Sequence, residues 1–167
     1  DRGIDPDLLN DYVKVTGGVK GFPGAEAIDS NELLRTEADI FIPAALENQI
    51  TRETALKLKV KLVAEGANGP TDPDGDKVLQ DRKIDVIPDI LCNAGGVIVS
   101  YYEWLQNKRS ESWELDEVDC KLKKKIVCAY KKVRALAEEF RTDRRTAAYV
   151  AALSTLEKVY FERGIFP

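Results

Sequence analysis

The chain has 167 residues, of which 44% are hydrophobic and 32% charged, with a formal net charge of -4 and a pI near 5.1. That length and apolar content suffice to bury one ordinary core, and the mixed, slightly acidic charge offers no general attraction to nucleic-acid phosphates or anionic lipids. No apolar stretch reaches the roughly 20 residues that span a bilayer, and the absence of His removes the commonest general base and sets triad hydrolysis aside.

The first helical pattern runs from Asp5 to Val15, with Leu8, Leu9, Tyr12 and Val13 on one face and Gly17-Gly18 as the stop. Three short apolar runs follow: Ala38 to Ile42 halted by Pro43, Val60 to Ala64 halted by Gly66, and Asp85 to Ile87 halted by Pro88. They read as buried parallel strands. Thr51 to Leu58 and Asp72 to Arg82 lie between them and are long enough to serve as crossover helices, giving β-α-β-α-β. From Asn93 the pattern is helical throughout, first to about Lys108, then from about Asp116 to Phe140, then from about Arg145 to Arg163. Val118, Leu122, Ile126, Val133, Leu136 and Phe140 form an apolar stripe on the second of these helices. On the third, Ala147, Ala148, Ala151 and Ala152 permit close packing, and Gly164 stands where a helix stop belongs. An α/β layer followed by a helical tail is therefore expected.

The densest basic run, from Lys121 to Arg134, alternates with apolar positions at helical spacing and reads as a solvated helix face. Cys92, Cys120 and Cys128 are odd in number and show no CxxC spacing. Neither a disulfide framework nor a metal site is expected. A reduced compartment, cytoplasm or mitochondrial matrix, fits this pattern. No secretory signal pattern opens the sequence, and a chain that starts at Asp1 without Met is expected to be a portion of a longer polypeptide.

In an open parallel sheet, ligands bind beyond the carboxyl ends of the strands. The three strand candidates end in Pro43 to Asn48, Glu65 to Thr71 and Cys92 to Val97, so all three loops belong on one edge. Small residues there let a flat ligand approach the backbone, and Asn68 and Asn93 each supply an amide donor and acceptor. Close approach or a positive φ explains the pair Gly95-Gly96. A small-molecule site is one reading of these loops. Turns made by Gly and Asn for their own sake are the other.

These same segments resemble those of the hexameric glutamate dehydrogenases, and the resemblance runs nearly the whole chain. It is carried by Gly21-Phe22-Pro23-Gly24-Ala25, by Phe41-Ile42-Pro43-Ala44-Ala45, by Val63-Ala64-Glu65-Gly66-Ala67-Asn68-Gly69-Pro70-Thr71, and by the long stretch from Asn93 to Trp104. Arg145 to Val150 resembles the family's closing helix. Relatives that act on leucine, valine or phenylalanine are less similar around Tyr101 to Gln106, which favours glutamate as the substrate.

The resemblance implies an incomplete Rossmann-like, doubly wound parallel sheet of three strands followed by a helical C-terminal region. Residues 1–92 would be part of the dinucleotide-binding domain, and residues 93–167 would complete it and pack toward a substrate domain. It further implies reversible oxidative deamination of L-glutamate to 2-oxoglutarate and ammonia, with NAD or NADP as cofactor and a homo-hexameric assembly. By position, Asn68 and Asn93 would hold the nicotinamide and its ribose, Ala44 and Ala45 would line the dinucleotide path, Ser100 would bond the substrate's side-chain carboxylate, and Val97 would shape that pocket. A carboxylate is acceptor-only and needs such donors. A hydroxyl bonded back to a carbonyl one turn earlier is the competing reading of Ser100.

The family's catalytic lysine and aspartate, and its GxGxxG turn, belong to segments expected to precede residue 1. The 167 residues alone are therefore expected to be inactive. Gly3-Ile4-Asp5-Pro6 resembles a stretch beyond the family's second strand, so Asp1 is not a determinant of NAD against NADP. Cys92 departs from the small or other apolar residue usual there. Two other classes stay open: a non-catalytic interaction module derived from a nucleotide domain, and a dehydrogenase of a branched or aromatic amino acid.

Overall fold

In the computed structural model, which describes residues 3–164, two compact units make up the chain, Asp1–Thr36 and Glu37–Pro167. Within the first, the Asp5 carboxylate accepts hydrogen bonds from the backbone N–H groups of Asp7 and Leu8 and starts α1, Pro6–Thr16. Gly17, in the left-handed region at φ 79°, ends it as the sequence predicts. The Tyr12 hydroxyl donates to the Lys20 carbonyl at 3.0 Å, and its ring meets Phe22 edge-on. A reciprocal capping box between Asp29 and Glu32 sets up α2, Ser30–Arg35, which the apolar pattern does not reveal.

In the second unit the three expected strands form a parallel sheet in the order β1-β2-β3, with β1 at Ile40–Phe41, β2 at Leu62–Ala64 and β3 at Asp85–Ile87. Phe41 lies opposite Val63, and Val63 opposite Val86. The crossover helices are α3, Arg52–Lys57, and α4, Pro73–Asp81. Thr51 and Thr54 cap α3 reciprocally. Asp72 caps α4 by accepting the Gly75 N–H.

Ile50, Ala55, Leu58, Val63 and Leu79 are buried between helices and sheet, and this close packing depends on Gly75. A Cβ there would lie 2.2 Å from the Ile50 carbonyl oxygen, nearer than any side chain can stand. The Arg82 guanidinium donates to the Ala55 and Leu58 carbonyls and so closes the otherwise unpaired end of α3. β1 is a sheet edge, and Ile40 within it and Ile42 just beyond it are 53% and 60% exposed, so this strand is not buried as its apolar run suggests.

After Pro88 comes a four-residue helix, α5, Asp89–Cys92, then a break at Asn93 and Ala94, then α6, Gly95–Arg109. Sequence periodicity predicts a single helix from Asn93. The one-turn α5 is too short to show a period, and Asn93 adopts φ -96°, ψ 5°, off the helical track. The two long helices are α7, Leu115–Phe140, and α8, Arg144–Arg163, the latter capped by Asp143 and stopped at Gly164. A second core joins Leu91, Val133, Ala147 and Ala148, with Ala129, Leu136 and Ala151 packed around it. Of the predicted packing positions, Phe140 and Ala152 are exposed instead. Among the described residues no helix is long and apolar enough to cross a membrane.

Candidate functional site

Backbone hydrogen bonds zip the loop after β1 to the loop after β2. The Ala67 N–H donates to Pro43 O at 2.8 Å, the Asn48 N–H to Gly69 O at 2.9 Å, and the Ile50 N–H to Pro70 O at 2.8 Å. Gly66 lets the loops approach, since a Cβ there would sit 3.2 Å from the Ala44 Cβ. The third loop joins them through a side chain: Asn93 Nδ2 donates to Asn68 Oδ1 at 2.6 Å and to Ala67 O at 3.3 Å.

An open cleft of about 830 Å³ results, lined by Ala45, Leu46 and Glu47 from the first loop, Gly66, Ala67 and Asn68 from the second, and Asn93, Gly96, Val97 and Ser100 from α5 and α6. Five of the six residues singled out in the sequence thus share one cavity: Ala45, Asn68, Asn93, Val97 and Ser100. Ala44 stands one position back, against Gly66.

The hydrogen-bond inventory of the cleft decides what it can take. Because Asn93 donates to Asn68, the Asn68 Nδ2 donors and the Asn93 Oδ1 acceptor are left for a ligand, the complement of a primary carboxamide. Ser154 and Thr155 bond back to the carbonyls of Val150 and Ala151, whereas Ser100 makes no such bond and lines the cleft. Val97, 75% exposed, offers an apolar surface beside it. Gly95 and Gly96 do not have positive φ, and among the described residues nothing beyond the backbone of its own helix and its chain neighbours lies within 4 Å of a Cβ built at Gly96. Backbone strain is therefore not the reason for that glycine. Among the lining residues, Glu47 is the one that carries a carboxylate.

Behind the cleft lies an ionic cluster that the sequence reading did not assign. Glu65, with none of its surface exposed, forms a two-pronged pair with Arg145 at 2.7 and 2.9 Å. Arg145 also reaches Asp76 at 3.1 Å and Asp89 at 3.4 Å. Burial acts to lower the Arg145 pKa, but the hydrogen bonds and charges of Glu65 and Asp76 outweigh it and leave the group above its ordinary value. Burial, and then the Glu65 charge, push the Cys92 thiol up. The available signal was a carboxylate directly at the end of an apolar strand and an arginine beside buried alanines.

Fold and cleft together define an open-sheet α/β protein whose concave site lies at the carboxyl rim of the strands. The chain belongs to the glutamate/leucine/phenylalanine/valine dehydrogenase family, whose model matches residues 1–164. It is 45% identical over 166 residues to a glutamate dehydrogenase of Thermotoga maritima, covering 99% of the chain and 40% of that relative. It is 46% identical over 164 residues to the NAD-specific glutamate dehydrogenase of Peptoniphilus asaccharolyticus, covering 98% of the chain and 39% of the relative. The crystal structure of the hetero-hexameric glutamate dehydrogenase of Thermus thermophilus in its leucine-bound form superposes with a TM-score of 0.89 at 27% identity, covering 99% of the chain and 39% of that one. The chain thus spans about two fifths of the length of these relatives.

Proposed function

We propose that the chain is the nucleotide-side part of an NAD-linked dehydrogenase that interconverts L-glutamate and 2-oxoglutarate. One observation carries this reading: two amides bonded to each other, with a donor and an acceptor left over, stand in the same cleft as an unbonded serine hydroxyl. The amide pair fits a nicotinamide carboxamide, and the open space before Gly96 admits a flat ring. When bound, the nicotinamide supplies the hydride acceptor for the α-carbon of glutamate. The imine is then hydrolysed, so glutamate, NAD+ and water give 2-oxoglutarate, ammonia, NADH and a proton.

The chain's own residues bind and orient. Asn68 and Asn93 hold the carboxamide and the ribose beside it, Ala44 and Ala45 keep the dinucleotide path narrow, Ser100 donates to the side-chain carboxylate of the substrate, and Val97 packs on its methylenes. NAD rather than NADP is the proposed coenzyme because relatives at this identity bear NAD-specific names. A hexamer in the cytoplasm is the proposed setting. With Glu47 as the cleft's single carboxylate and no lysine lining it, the proton transfers are assigned to residues outside these 167. The functional boundary near residue 92 separates the sheet with its loops from the helices that complete the site.

Initial rates on L-glutamate, L-leucine and L-phenylalanine with NAD and NADP, measured on the protein as its gene encodes it, test the proposal. Glutamate with NAD is expected to be fastest. Faster turnover of leucine or phenylalanine would overturn it.

A further inference from the structure

The Arg145 cluster grips backbone as well as charge. Glu65 Oε2 accepts the Asp89 N–H at 2.8 Å, and Asp89 Oδ2 accepts the Gly69 N–H at 2.8 Å. Glu65 precedes the loop that carries Asn68, and Gly69 follows that residue directly. Asp89 opens α5, whose far end delivers Asn93. One guanidinium from α8 therefore ties together both loops that hold the amide pair. Three carboxylates around a single Arg exceed what neutralising its charge requires. Two of them use further lone pairs on backbone N–H groups, an arrangement that sets distances between segments.

We propose that Arg145 is a positioning residue for nicotinamide recognition: through Glu65 and Asp89 it fixes the spacing of the Asn68 and Asn93 amides without touching the ligand. This rests on the reading of the cleft as the nicotinamide site. A planar fork is needed for the two-pronged pair with Glu65, and the single ammonium of a lysine does not reproduce it.

Affinities for NADH and for ADP-ribose, which lacks the nicotinamide, test this on the protein as its gene encodes it. Asn68→Ala sets the reference and is expected to weaken NADH while sparing ADP-ribose. If it spares both, the cleft reading falls and the inference falls with it. R145K is expected to weaken NADH roughly tenfold and to leave ADP-ribose within about twofold. Asp89→Ala removes the tie to Gly69 at a partly exposed position, shows the same selectivity, and decides the matter if R145K fails to fold.

Arg144→Met is the control for merely structural loss. Arg144 pairs with Asp85 and lies over the Tyr130 ring, again docking α8, but reaches neither loop. Its NADH to ADP-ribose ratio is expected to match wild type. If R145K and Asp89→Ala keep the wild-type ratio while Asn68→Ala changes it, or if they weaken both ligands equally, Arg145 is structural only and the inference is wrong.

Discussion

Helices α6 and α7 use apolar side chains in opposite ways. Helix α6 carries Val97, Ile98, Val99, Tyr101, Tyr102, Trp104 and Leu105, spread around its circumference, and buries none of them fully. Helix α7 concentrates its apolar residues on one stripe and, with α8, closes the core of Val133, Ala147 and Ala148. An amphipathic stripe is committed to the chain's own interior. A helix apolar all round has surface left for something else, and the Gly96, Val97 and Ser100 side of α6 faces the cleft. Substitutions on α7 and α8 should therefore act on stability, whereas those on the cleft side of α6 should act on binding.

The largest effect is expected at Ala147, which has no exposed surface. Ala147→Leu overfills the α7–α8 contact and should lower unfolding free energy by about 3 kcal/mol, read from the denaturant midpoint, while Val97→Ala on α6 stays within about 0.5 kcal/mol. Equal destabilisation by both would erase the distinction between the two regions.

Ser100→Ala should raise the KM for glutamate on the order of tenfold, leave leucine kinetics alone and leave the melting temperature unmoved. An unchanged glutamate preference would remove the serine from the site.

Asp143 should contribute about 1 kcal/mol to stability through the N-cap of α8, lost in Asp143→Ala. Partial burial acts to raise its pKa, but hydrogen bonds from the Thr146 N–H and hydroxyl outweigh this and hold it below the usual aspartate value of 3.8. Because the folded value is the lower one, that stability is present above 3.8 and is lost as pH falls through the folded value. Acid titration of wild type and variant should therefore converge at low pH.

Gly96→Ala is expected to change stability only slightly, and in the favourable direction. A gain of about 0.5 kcal/mol should follow from better helix propensity, since no neighbouring element among the described residues crowds a Cβ there. NADH affinity should nevertheless fall. A Gly96→Ala protein that binds NADH normally would show that the space before this glycine holds no ligand.

What the sequence made legible was mostly local. Gly17 and Gly164 stop their helices, Thr51 and Asp72 start theirs, and Pro43, Gly66 and Pro88 fall just beyond the three strands, because each acts through its own backbone or its nearest neighbours. The gathering of Asn68, Asn93 and Ser100 on one rim followed from topology, since parallel strands with crossover helices place all their outgoing loops on one edge. The Asn93 to Asn68 bond itself did not follow, nor did the pairing of Arg145 with Glu65. Those partners are distant in sequence, and no period or motif spacing encodes which side chain meets which. The break at Asn93 was hidden for a different reason: α5 is one turn long, and its burial of Leu91 against α7 and α8 depends on tertiary packing.

On the proposed function, the amide pair and Ser100 hold coenzyme and substrate in one cleft. A crystal structure of the protein as its gene encodes it, grown with NADH and 2-oxoglutarate, tests this most directly. The carboxamide is expected within about 3 Å of Asn68 Nδ2 and Asn93 Oδ1, and the distal carboxylate at the same distance from Ser100 Oγ. Ligand density away from these three side chains, for instance in the charged cavity lined by Asp85, Arg134 and Arg144, would contradict it.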